Sequence, residues 1–211
     1  MKTRRTFLSL LGLSLLFAGT GASAAPPTTN SQDAATAEIG KPAPNFTLKD
    51  TTGKSHSLSD FKGKTVVLQW INPDCPYCRR VMTQGVVKQM LKDLKSIEEN
   101  IVLLAINSTH YMSAEDTAQY LKTNKIDVPG LIDSDGAAGR LYGARTTPHV
   151  FVIDKKGILR YRGAINDDRR GNLGSGATNY AVNAVRQISA GEAVAPDTTR
   201  PYGCSVKYAK K

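Results

Sequence analysis

Apolar and polar positions fall into short blocks of changing period. Thr65–Ile71, T-V-V-L-Q-W-I, is β-rich and apolar on both faces, as a central strand should be. Ile101–Ile106, I-V-L-L-A-I, predicts a second buried strand. Between them, Val81–Lys95 repeats Val86, Met90, Leu91 and Leu94 at helical spacing and predicts one helix. Ser113, three residues before Asp116, opens another helix to about Asn124 with a capping-box pattern. His149–Asp154 and Ile158–Arg162 predict strands joined by a D-K-K-G turn ending at Gly157, and 176–190 predicts a last helix. Upstream, Asn45–Asp50 and Lys54–Leu58 flank T-T-G, a β-hairpin signal. The order hairpin, β, α, β, α, β, β, α predicts an α/β fold: a central mixed sheet with helices on both faces and an N-terminal hairpin.

The first 24 residues break this pattern. A basic start, an apolar run from Phe7 to Phe17 and a small-residue A-S-A ending at Ala24 give the layout of a secretory signal peptide. Thr3–Leu8, T-R-R-T-F-L, fits a twin-arginine signal as well as an ordinary one. The apolar run is short for a membrane span, so cleavage is expected and no span in the mature protein. The competing reading is an uncleaved anchor. Residues 25–37 read as a flexible leader, 38–190 as one domain, and 191–211 as a tail carrying Cys204. The expected address is a periplasm or equivalent space, where disulfides persist. The formal charge of +10 is spread without interleaved aromatics, so no nucleic-acid partner is expected.

Candidate chemistry lies in Asn72–Arg80, N-P-D-C-P-Y-C-R-R. Cys75 would end a strand and open a helix, where free N–H groups and the helix dipole favour a thiolate. Pro76 suits the first helical turn, and Arg79 and Arg80 add positive charge. Cys78 follows one turn on, within reach to resolve a mixed disulfide. A zinc site would need two more Cys or His ligands at suitable spacing, and among Cys204 and the three histidines no second paired motif appears, so no metal is expected. Asp133, Asp135, Asp167 and Asp168 read as loop carboxylates, and His56 and His110 as surface residues.

With Pro148 directly before an apolar strand in R-T-T-P-H-V-F-V-I-D (Arg145–Asp154), the pattern resembles the thioredoxin-like superfamily. The run Ala43–Trp70, then N-P-D-C-P, Y-G-A-R-T-T-P-H and the terminal Y-G-C-S-V-K-Y, is similar to its redoxin branch, a peroxiredoxin-like thioredoxin family, over residues 39–208. The resemblance implies a thioredoxin-like fold, a cis Pro148, and Thr147 offering its backbone to an extended substrate. It implies thiol–disulfide exchange with protein disulfide or dithiol substrates and a redox partner, without a cofactor. Trp70 is expected to wall the active-site surface. Two departures bear on activity. Leu68 and Asn72 stand where peroxiredoxins resemble one another in a proline and a threonine. Gln69 stands where thioredoxins carry a buried aspartate.

The main expectation is a periplasmic thiol–disulfide oxidoreductase using Cys75 and Cys78. Its alternatives are a thiol peroxidase and a copper-binding chaperone using both cysteines and His149. Cys204 is a candidate third thiol. It is free, bonded between molecules, or folded back to Cys75 or Cys78, and residues 191–203 reach far enough at about 40 Å extended.

Overall fold

A computed structural model describes residues 37–210. The segment expected to be a signal peptide, and residues 25–36 of the expected leader, lie outside the described residues. Ala37, expected at the leader's end, is instead fully buried and donates its N–H to the Leu141 carbonyl at 3.0 Å, so the fold already includes it.

The T-T-G hairpin forms as β1 (Thr47–Asp50) and β2 (Ser55–Ser57), paired antiparallel. Asp50 pins the turn by accepting from Thr52 N at 2.8 Å, Lys54 N at 3.1 Å and His56 Nε2 at 2.7 Å. His56 is therefore not a surface residue. It is 8% exposed and stacked on Phe61.

The two apolar runs become the centre of the sheet, β3 (Val66–Trp70) and β4 (Val102–Asn107), parallel to each other. Their neighbours are β5 (Gly130–Ile132), parallel to β4, and β7 (His149–Ile153), antiparallel to β3. β8 (Leu159–Gly163) closes one edge against β7, and the full order is β2-β1-β5-β4-β3-β7-β8. β5 escaped the sequence because it has only three residues, too few to show a period.

The helix expected over Val81–Lys95 is two helices. α1 (Pro76–Thr83) and α2 (Val86–Ile97) are separated at Gly85, which adopts φ +75°. A left-handed residue ends one helix and redirects the chain, and glycine takes that conformation without a Cβ clash. The break lets α1 bury Cys78, Val81 and Met82 while α2 buries Val87, Met90 and Leu94. α3 (Ala114–Thr123) starts as expected: Ser113 Oγ accepts from Asp116 N at 3.0 Å, and the Asp116 carboxylate accepts back from Ser113 N at 3.0 Å. α4 (Ala137–Leu141) is a short addition, and α5 (Tyr180–Ser189) is the last helix, shorter than expected because Gly174–Gly176 forms a separate 3-10 turn.

Strand alternation splits the interior in two. Val67, Ile71, Leu103, Ala105, Val150 and Val152 face one core with α1, α2, α3 and α5. Leu68, Trp70, Leu104, Ile106, Phe151 and Ile153 face the other with α4. Both cysteines of the motif belong to the first core. A separate two-stranded ribbon joins β6 (Thr146–Thr147) to β9 (Cys204–Ser205), so the tail is part of the fold.

Candidate active site

The chain leaves β3 at Trp70 and turns through Ile71–Asp74. Asn72 shapes that turn: its Oδ1 accepts from Asp74 N at 2.8 Å and its carbonyl accepts from Cys75 N at 3.0 Å. Cys75 is thereby set at the N-cap of α1, with its carbonyl accepting from Arg79 N at 2.9 Å and Pro76 in the first turn. Its sulfur points across to the Thr147 carbonyl oxygen, 3.0 Å away. The Thr147–Pro148 peptide is cis, as the resemblance implied.

The thiols are electrically unlike. A hydrogen bond from the Cys78 thiol favours the Cys75 thiolate; burial opposes it, while Cys204, Thr147 and the Cys78 backbone N–H add support. The balance pulls Cys75 down to about 4. Burial drives Cys78 well above the ordinary thiol value, and its hydrogen bond to Cys75 and the charge there push the same way. Cys204 is pushed up to about 11, by burial first and then by Cys75. The thiolate is thus favoured at Cys75, and the protonated thiol at Cys78 and Cys204. Thr147 Oγ1 is buried among them without an oxygen or nitrogen partner.

Gln69 shares the thiol face of β3, between Val67 and Ile71, and is 1% exposed. Its Nε2 is also unpartnered. The Tyr120 hydroxyl, from α3, is buried without a partner too, in the field of Cys78 and Cys75. No period or motif marked Tyr120, because its role depends on where α3 lies over α1.

Two expectations fail on sidedness. Trp70 does not wall the active-site surface. It is fully buried in the opposite core, where Nε1 donates to Ser108 Oγ at 2.9 Å and its ring tilts against Tyr142 at 5.6 Å and meets Phe151 edge-on at 5.1 Å. Ser108 in turn donates to Asp133 at 2.5 Å, and Asp133 is a loop carboxylate as expected, but a buried one that accepts from Ala138 N and Gly139 N at the start of α4. His149 pairs with Trp70 across the strands and lies tilted against Phe151 at 4.5 Å, on that same face. The sheet separates its ring from both thiols, so the copper set of Cys75, Cys78 and His149 does not assemble. Burial also holds His149 down to about 3, neutral, with Arg145 and Arg162 pushing the same way.

Residues 39–162 match the AhpC/TSA family, more than half of the chain. The chain belongs to the AhpC/TSA family. Among its relatives is the thiol-disulfide oxidoreductase ResA of Bacillus thuringiensis subsp. konkukian, 32% identical over 120 residues, which cover 57% of this chain and 66% of that one. The match thus spans slightly under two thirds of that relative's length. An uncharacterized conserved protein from Geobacillus kaustophilus has the same fold, with a TM-score of 0.73 and 25% identity over 82% of this chain and 94% of that one. The thioredoxin domain of a thiol-disulfide oxidoreductase from Bacteroides vulgatus superposes with a TM-score of 0.51 and 23% identity, over 59% and 87% of the two chains. The fold is thioredoxin-like.

This chain has a buried cysteine at a helix start, and Leu68 and Asn72 at the two positions where peroxiredoxins resemble one another in a proline and a threonine. Leu68 points into the far core, and Asn72 spends its side chain on the turn before Cys75.

Proposed function

We propose that the protein is an exported thiol–disulfide oxidoreductase acting on protein substrates through Cys75 and Cys78. The observation that carries this is the Cys75 sulfur at the start of α1, held 3.0 Å from the Thr147 carbonyl beside a cis proline, with Cys78 one turn behind. The Cys75 thiolate attacks one sulfur of a substrate disulfide, and the other leaves as a thiolate and takes a proton. Cys78 then gives up its proton and attacks the Cys75 sulfur. The second substrate sulfur departs, and a Cys75–Cys78 disulfide remains. Run backwards, the same steps oxidise a substrate dithiol.

The basic-apolar-small N-terminal segment supports export, to a compartment where disulfides last. Among the described residues no helix is long and apolar enough to cross a membrane. A cavity of about 420 Å³ beside α1, lined by Pro73, Asp74, Arg79, Met112 and Tyr120, offers room for a substrate side chain. The test is insulin reduction driven by dithiothreitol, comparing wild type with Cys75→Ser. Loss of turnover in the variant supports the reading, and equal rates exclude Cys75 as the nucleophile.

A further inference from the structure

The tail reads Y-G-C-S-V-K-Y from Tyr202 to Tyr208, and nearly every position fastens it across the thiols. Tyr202 is buried, with its ring 6.0 Å from that of Tyr77 and its hydroxyl donating to Asn166. Gly203 crosses the cis-proline loop at φ +124°, so close that a Cβ there would sit 2.0 Å from the Thr147 carbonyl oxygen. Cys204 and Ser205 then pair antiparallel with Thr147 and Thr146. Val206 N donates to the Arg145 carbonyl at 3.1 Å. Tyr208 donates to the Ala144 carbonyl at 2.8 Å, under the Arg140 guanidinium. Its ring needs glycine beneath it: a Cβ at Gly139 would fall 2.4 Å from the hydroxyl.

A strand added to the edge of a protein, in register with the backbone beside a nucleophile, is how extended peptides are commonly bound. Here the strand comes from the chain itself, and the residue opposite Thr147 is a cysteine. Cys75 is left 1% exposed, while Cys204 is half-buried and packs on the core that holds Cys75 and Cys78. A protein disulfide cannot reach Cys75 past this strand.

We propose that the tail is an internal substrate: Cys204 is a third catalytic thiol that exchanges with Cys75, and protein substrates gain Cys75 by displacing the Tyr202–Tyr208 strand. This rests on Cys75 being the nucleophile. In the exchange, Cys204 loses its proton and attacks the Cys75 sulfur of the Cys75–Cys78 disulfide. The Cys75–Cys204 bond forms as the Cys75–Cys78 bond breaks, and Cys78 leaves as a thiolate and takes up a proton. One disulfide persists throughout, so no outside oxidant is consumed.

The test treats reduced Cys78→Ser protein with oxidised glutathione, followed by alkylation and peptide mass mapping. Cys75 should displace one glutathione and Cys204 the second. The product should be a monomer with a Cys75–Cys204 disulfide, no glutathione adduct, and neither cysteine alkylated. The Cys78→Ser/Cys204→Ser protein should stop at one glutathione on Cys75. Cys78→Ala gives the same readout if the serine hydroxyl disturbs the core. A Cys78→Ser product that keeps glutathione on Cys75 with Cys204 open to alkylation would overturn the proposal, as would disulfide-linked dimers. A double variant whose Cys75 takes up no glutathione would overturn both readings, through the nucleophile itself.

Discussion

Lowering the pH from 7 to 5 should separate Cys75 from ordinary thiols. A cysteine near the ordinary value of about 8.5 loses about 100-fold of its thiolate over that interval, and alkylation slows to match. With Cys75 drawn down to about 4, roughly 90% of it is still ionised at pH 5, so its rate should fall by only about 10%. Cys78 and Cys204 are displaced upward and should show the full loss of about 100-fold. The contrast has a structural cause that can be removed. The Cys78 thiol hydrogen bond is the largest influence on Cys75, so Cys78→Ala should raise its value and restore part of the steep loss. The assay is reduced protein, limiting iodoacetamide, an acid quench and site-resolved peptide mass spectrometry. Common burial under the tail cancels in the ratio of the two rates. A fall of more than about tenfold at Cys75 would place its value above about 6 and refute the thiolate argument. The same linkage has a stability side. A thiol depressed in the folded state stabilises fully above its unfolded value of about 8.5, and that contribution is lost as pH falls through the folded value. Between them, the reduced protein should lose up to about 1.4 kcal/mol per pH unit relative to the Cys75–Cys78 oxidised form.

Three further outcomes follow from particular contacts. Trp70→Phe should cost roughly 1–3 kcal/mol in urea denaturation by leaving the buried Ser108 hydroxyl oxygen without its donor, while insulin reduction by the remaining folded protein stays at the wild-type rate. Gly203→Ala should push the tail off the Thr147 carbonyl and speed alkylation of Cys75 at constant pH; an unchanged rate would mean that the tail does not shield it. Ser113→Ala removes the side-chain cap of α3 and should cost about 1 kcal/mol, read from the shift in the urea midpoint.

Much of this protein was legible along the chain. The runs at Thr65–Ile71 and Ile101–Ile106 could only be central strands, because apolar residues on both faces need cover on both sides. The capping box at Ser113, the hairpin around T-T-G and the two cysteines one helical turn apart are local features, with their partners within a few residues. Gln69, Leu68 and Asn72 could be compared with a family pattern for the same reason: they sit at fixed offsets from Cys75. The break at Gly85 was present in the sequence too, but an apolar period that continued past it hid the change of direction.

What the sequence left open depended on which side of the sheet a residue faced and what crossed over it. Trp70 is near Cys75 in the chain, yet strand alternation sends it, and His149 opposite it, to the other core. Cys204 is far away in the chain, yet the Tyr202 and Tyr208 anchors and the bare backbone of Gly203 bring it opposite Thr147. A residue's local pattern sets whether it is strand, helix or turn. Only the packed fold decides which thiols share one environment, because burial, hydrogen bonds and the field of a neighbouring thiolate act through space and not along the chain.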